Sequence, residues 1–113
     1  MADLRTLHPG LVPWARWIYA VGKYYDPLLV VTSARRSSSK QSLLWHRWIS
    51  GHSKIPAARP GTSLHEHGLA FDMARIGKEP LGDPLLAYLG KLWEHYGGRH
   101  GGERDPVHFQ PKM

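Results

Sequence analysis

The chain has 113 residues, 42% of them apolar and 21% charged, a balance that suits an ordinary globular protein and excludes an extended disordered one. It contains no cysteine, which excludes disulfides and thiolate metal sites, and no apolar run approaches the length of a membrane span. Lys and Arg outnumber Asp and Glu by 15 to 9, so a formal charge of +6 either keeps the surface soluble or attracts a polyanion such as nucleic acid, teichoic acid or lipopolysaccharide.

This length predicts one domain spanning residues 1–113 with a single modest core. The start, Met1 to Pro9, lacks the apolar core of a secretory leader, so synthesis in the cytoplasm is expected. Pro9 and Pro13 flank a first helix predicted over Trp14–Tyr25, with Trp14, Trp17, Ile18, Val21 and Tyr25 at helical spacing. Asp26-Pro27 stops it, and Leu28–Thr32 reads as a buried strand. After a polar stretch, Ser33 to Ser39, a second helix is predicted over Gln41–Ile49 with Ser39 as its cap. Gly51 to Thr62 is a loop.

Leu69–Ala74 alternates Leu69, Phe71 and Met73 with Ala70, Asp72 and Ala74, the period of a strand with one face in the core. Asp83 caps a third helix that opens on Pro84 and runs to about His95, before Gly97-Gly98. Val107-His108-Phe109 is a last short strand. The expected fold is α+β, with helices packed on one side of a small antiparallel sheet whose strands carry the functional side chains. The five tryptophans, 14, 17, 45, 48 and 93, are expected in the core rather than as a sugar-stacking platform.

The chemistry concentrates in Ser63-x-His65-x-x-Gly68-x-Ala70-x-Asp72 and in Asp105-Pro106-x-His108-Phe109. A catalytic zinc takes three N or O ligands and keeps one position open, and His65, Asp72 and His108 meet that count for one Zn²⁺ ion. Gly68 permits the sharp turn that brings His65 beside Asp72, and Ala70 leaves room there. Asp105, three residues before His108, is placed as the base that takes a proton from water. His67 is a second candidate for the place of His65, whereas Glu66 reads as a solvated side chain because His-Glu-His is not the helical zincin motif. His8, His46, His52, His95 and His100 read as structural or surface residues.

These two segments resemble the signature of the zinc peptidases that include D-alanyl-D-alanine carboxypeptidases, D-alanyl-D-alanine dipeptidases and the L-alanyl-D-glutamate endopeptidases of phage lysins. Thr32-Ser33-Ala34-Arg35-Arg36-Ser37, followed by Gln41, is similar to a further element of that family, so the likeness runs from Val31 to Gln110. Arg35 stands where many members have an aromatic residue, and Gln110 where they often have Glu. The resemblance implies a metal held by His65, Asp72 and His108, Asp105 as base, and Arg36 at the substrate carbonyl, stabilising the oxyanion. Without it, Arg36 reads as part of a solvated cluster with Arg35 and Lys40.

The implied substrate is the peptidoglycan stem peptide, and a chain without a leader resembles phage lysins, which gather in the host cytoplasm and reach the wall after release. An L-alanyl-D-glutamate endopeptidase is therefore expected. A D-alanyl-D-alanine carboxypeptidase and a zinc-bearing wall-binding domain without catalysis are the alternatives. A monomer is expected, with anionic cell-wall polymers as possible partners of the basic surface; nucleic acid has no recognisable reading motif behind it.

Overall fold

A computed structural model describes residues 2–54 and 56–112. Helix α1, Val12–Tyr25, begins two residues before its expected start, with Pro13 inside the first turn, where a missing N–H costs no hydrogen bond. One face of it buries Ala15, Ile18 and Gly22. Asp26 ends the helix in an extended conformation, and its carboxylate accepts from Leu28 N at 2.9 Å, turning the chain into strand β1, Leu29–Ser33. Helix α2, Ser38–Ile49, is capped by Ser37, whose hydroxyl accepts from Lys40 N at 3.1 Å, and not by Ser39, which lies in its first turn.

Strand β2, Phe71–Arg75, buries Phe71 and Met73 as its alternation predicts. Helix α3, Pro84–His95, has the expected Asp83 cap, with the carboxylate accepting from Leu85 N at 2.9 Å. Two further strands complete the sheet: β3, Gly98–His100, which the sequence reading lacks, and β4, His108–Pro111. Short 3₁₀ turns occupy Leu4–Thr6, Leu64–His67 and Gly102–Arg104.

All pairings are antiparallel, in the order β1-β2-β4-β3, so the protein is α+β. Phe71 and Phe109 stack at 5.5 Å with the edge of Trp93 against them, and Ile18, Leu29, Leu86 and Leu89 close the same core from α1, β1 and α3. The inner face of the sheet is thus apolar, which turns Asp72 and His108, directly opposed on β2 and β4, to the other face. The β1–β2 register shifts between Val31 and Ser33, which sets Ser33 opposite Asp72.

The tryptophans correct the expectation of a core rich in that residue. Trp93 is buried and Trp17 packs partly against the core, but Trp45 and Trp48 are half-buried and Trp14 is 50% exposed. Helix α2 buries only Gln41 among its side chains; it borders the outer face of the sheet instead of the core. Among the described residues no helix is long and apolar enough to cross a membrane.

Candidate metal centre and active site

His65 reaches the outer face of the sheet from the 3₁₀ turn, which Ser63 opens by accepting from His65 N at 3.2 Å. Gly68 closes that turn at φ +70°, and a Cβ there would lie 3.0 Å from His8 N, so both conformation and space require glycine. The His65 Nδ1–H donates to the Ala34 carbonyl at 3.0 Å, which leaves Nε2 as an electron pair 3.1 Å from Asp72 Oδ1. His108 is arranged the other way round. Its Nε2–H donates to Gln110 Oε1 at 2.7 Å and its Nδ1 lies 3.6 Å from the same Asp72 oxygen.

One donor atom from each of these three residues lies within 4.8 Å of the others, and Asp72 Oδ1 is buried without a hydrogen-bond partner. Three electron pairs converging on one point repel unless a cation sits among them. Ligand atoms about 2.0–2.1 Å from a tetrahedral zinc are about 3.3 Å apart, close to the spacings here, so the residues present fit one such ion. Burial alone would push the Asp72 carboxyl up, but in the metal-free site protons on the facing nitrogens of His108 and His65 would hold it well below the usual carboxylate range. Burial likewise pushes His108 down, and the Asp72 carboxylate outweighs that and raises it. A proton on His108 and a metal ion therefore compete for the same need.

Asp105 follows the 3₁₀ turn at Gly102–Arg104 and faces the same cleft. Its backbone is fixed by His108 N donating to Asp105 O at 3.1 Å and Gly101 N donating to His108 O at 2.9 Å. Its Oδ1 is buried without a partner, and burial, reinforced by the negative charge of Asp72, pushes its carboxyl up to about 6. An acceptor left unsatisfied beside a metal-binding cluster suits a proton carrier better than a scaffold.

Arg36 is no member of a solvated cluster. Its side chain is 8% exposed and donates to Asp72 Oδ2 at 3.1 Å, to Ser33 Oγ at 2.8 and 3.2 Å and to Gln41 Oε1 at 2.7 Å. Of its five N–H groups one, on Nη1, has no partner among the described residues. Gln41, fully buried, passes the chain of contacts on by donating to Ala58 O at 2.7 Å. The sequence pattern does not by itself assign Ser33 and Gln110 these supporting roles. The His108-x-Gln110 spacing on a strand, which puts both on one face, is the signal that could have revealed the second.

His67 is exposed and outside the cluster, so the structure brings His65 and not His67 to Asp72. Glu66 is not simply solvated: it accepts from Gly61 N at 2.8 Å and from Ser38 Oγ at 3.0 Å, pinning the loop to the start of α2. His100 is structural, its Nε2 2.6 Å from Pro106 O and its ring against Phe109. The cleft holds about 660 Å³ and is walled by β1, β2 and β4 on one side and by α2 and the loop after it on the other.

The same fold occurs in solved peptidases, one of them in complex with Zn(II). A mutant of VanY, a vancomycin-resistance D,D-pentapeptidase from a VanB-type cassette, in complex with Zn(II), superposes with a TM-score of 0.70 at 18% identity, covering 93% of this chain and 72% of that one. VanYB in complex with D-alanine-D-alanine gives a TM-score of 0.71, 18% identity and coverages of 93% and 71%. The L-Ala D-Glu endopeptidase ChiX of Serratia marcescens gives a TM-score of 0.64 and 22% identity, covering 97% of this chain and 84% of that one. No protein-family model and no curated protein matches the chain. At these identities the likeness establishes the fold.

Proposed function

We propose that this protein is a zinc-dependent peptidase that hydrolyses an amide bond of the peptidoglycan stem peptide. The observation that carries the reading is the convergence of His65 Nε2, His108 Nδ1 and Asp72 Oδ1, with both outer ring nitrogens already bonded to oxygens, beside the unpartnered carboxylate of Asp105. His65, Asp72 and His108 would hold the ion. Bound there, zinc supplies Lewis acidity to a carbonyl and lowers the pKa of water to about 7.

Asp105 takes the proton from the attacking water as the new C–O bond forms, and delivers it to the amide nitrogen as the C–N bond breaks. Burial and the charge of Asp72, which push this carboxyl up to about 6 in the metal-free site, favour its taking up a proton, and a bound cation would favour its giving the proton on. Arg36 offers its remaining N–H to the oxygen on which negative charge develops, held in place by Ser33, Gln41 and Asp72. The orphaned Asp105 oxygen also weighs against a zinc-bearing domain that only binds the wall, where a buried unsatisfied carboxylate is a cost without a use.

For the bond cut we favour L-alanyl-D-glutamate, in line with the likeness to ChiX, whose length this chain covers to 84%. The likeness to VanYB holding D-alanine-D-alanine supports the second reading, a D-alanyl-D-alanine carboxypeptidase. Digestion of purified wall with the zinc-loaded protein decides between them: new N-terminal D-glutamate supports the endopeptidase, and free D-alanine supports the carboxypeptidase. Wall left intact by protein with stoichiometric zinc would overturn both.

A further inference from the structure

Between Pro27 and His65 the chain carries six cations, Arg35, Arg36, Lys40, Arg47, Lys54 and Arg59, and no Asp or Glu. The rest of the chain holds nine cations and nine anions (15 less 6, and 9 less 0), so the whole formal charge of +6 belongs to this one stretch. Elsewhere Arg5 and Arg75 are ion-paired, whereas within this stretch Arg36 alone meets a carboxylate among the described residues.

The described residues of this stretch are tied together along the cleft. Gln41 binds Ala58 O, the backbone N–H groups of His52 and Ser53 donate to Arg47 O at 2.9 and 3.1 Å, and the Arg59 guanidinium lies 5.5 Å over the Trp45 ring. Lys40 and Arg47 are seven residues apart on α2, about two turns or 10 Å, and so share a stripe. Arg36 and Lys40 line the cleft, and the exposed Arg47 and Lys54 continue the positive charge beyond it.

We propose that α2 with residues 51–54 and 56–62 forms a docking surface for an anionic phosphodiester polymer of the bacterial cell wall, laid alongside the cleft. Lys40 and Arg47, about 10 Å apart along α2, and Lys54 and Arg59 beyond them meet no carboxylate among the described residues, and such a row of cations suits a chain of repeated phosphates better than a single carboxylate. Nucleic acid is the weaker occupant, because this surface offers charge without a recognisable base-reading motif. The choice of a wall polymer rests on the peptidase reading, since such a polymer stands beside the scissile peptide and would keep the protein there between cleavages.

The test is co-sedimentation of the full chain with wall bearing its phosphodiester polymer, with the same wall stripped of it by hydrofluoric acid, and titration with a DNA duplex. The double variant Arg47→Gln with Lys54→Gln changes two exposed side chains outside the catalytic cluster and keeps the melting temperature as a folding control. For about four neutralised phosphates, wall affinity should fall about fifty-fold between 50 and 200 mM salt. Binding should be at least about tenfold weaker for the double variant and for stripped wall. Equal binding to stripped wall, wild-type binding by the double variant, or DNA bound as tightly as intact wall would overturn the proposal. Hydrolysis of a soluble stem peptide, unchanged in the double variant, reports on the peptidase separately, so failure of either reading is seen by itself.

Discussion

His108 and Gln110, alternate residues of β4, are joined by a hydrogen bond of 2.7 Å from the ring Nε2–H to the amide oxygen, and this bond decides which nitrogen of His108 faces Asp72. Removing it frees the ring to rotate and to exchange tautomers. Gln110→Ala should therefore weaken zinc binding about 10–100-fold, and Gln110→Glu should restore or strengthen it by making the ring more basic. Competition with a chromophoric chelator measures both. Equal affinity in all three proteins would show that Gln110 does not orient the ring.

Zinc should stabilise the fold as well as the reaction, because His65, Asp72 and His108 come from three separate segments that are not assembled in the unfolded chain. At a free zinc concentration of 100 times Kd the gain is about 2.7 kcal/mol. For a chain of this size that raises Tm by about 10 °C. A thermal melt with and without chelator should show the shift, and activity should vanish with the chelator and return with zinc. A melt indifferent to zinc would place the ion, if any, elsewhere.

Parts of this architecture were readable from the chain and parts were not, for reasons that differ by residue. Helix α3 was legible because Asp83, Pro84 and Gly97 bracket it with local chemistry, and β2 because Phe71 and Met73 alternate with Ala70 and Asp72. The cap of α2 is not decided locally, since Ser37, Ser38 and Ser39 are equivalent there and only the fold selects Ser37. Helical periodicity showed that Trp45 and Trp48 share a helix but not that this helix leaves the core. The spacing of the histidines and Asp72 pointed to one cluster, which the β2–β4 pairing assembles, whereas the hold of Ser33 and Gln41 on Arg36 depends on a register shift that no local pattern displays.

Asp105 should set stability against chemistry. Its carboxyl is raised from 3.8 to about 6 by burial and by Asp72, so in metal-free protein the folded state holds this proton more tightly than the unfolded chain. Its contribution to stability is therefore full below about pH 3.8, falls as pH rises to about 6 and stays low above that, a loss of no more than about 3 kcal/mol. Asp105→Asn removes this slope, so the metal-free variant should equal wild type at pH 4 and be more stable at pH 7. With zinc, its kcat should fall at least about 100-fold. Denaturant melts of both proteins across that range provide the check, and parallel curves would mean Asp105 is not perturbed.

Arg36 should show in kcat more than in the fold. Arg36→Lys keeps a cation near Asp72 but cannot reproduce the planar contacts to Ser33 and Gln41, and so loses the remaining N–H that those contacts hold in place. Its kcat should fall by about 10²–10³ with zinc affinity changed by less than about tenfold. A variant with normal kcat and raised KM would instead assign Arg36 to substrate binding in the ground state.

Gly68 tests whether the turn, and not only the ligand it carries, builds the metal site. At φ +70° any other residue is strained by about 1–2 kcal/mol, and a Cβ would also press on His8 N at 3.0 Å and Thr6 O at 3.3 Å. That contact cannot relax freely, because His8 N donates to Gly68 O at 2.9 Å and Leu7, just before it, is in the core. Relief must come from the turn, which carries His65 three residues earlier. Gly68→Ala should thus lower Tm by about 5–10 °C and also weaken zinc binding, measured at a temperature where the variant is still folded. A variant that melts early yet binds zinc like wild type would show that Ser63 and Ala34 fix His65 without help from the turn's end.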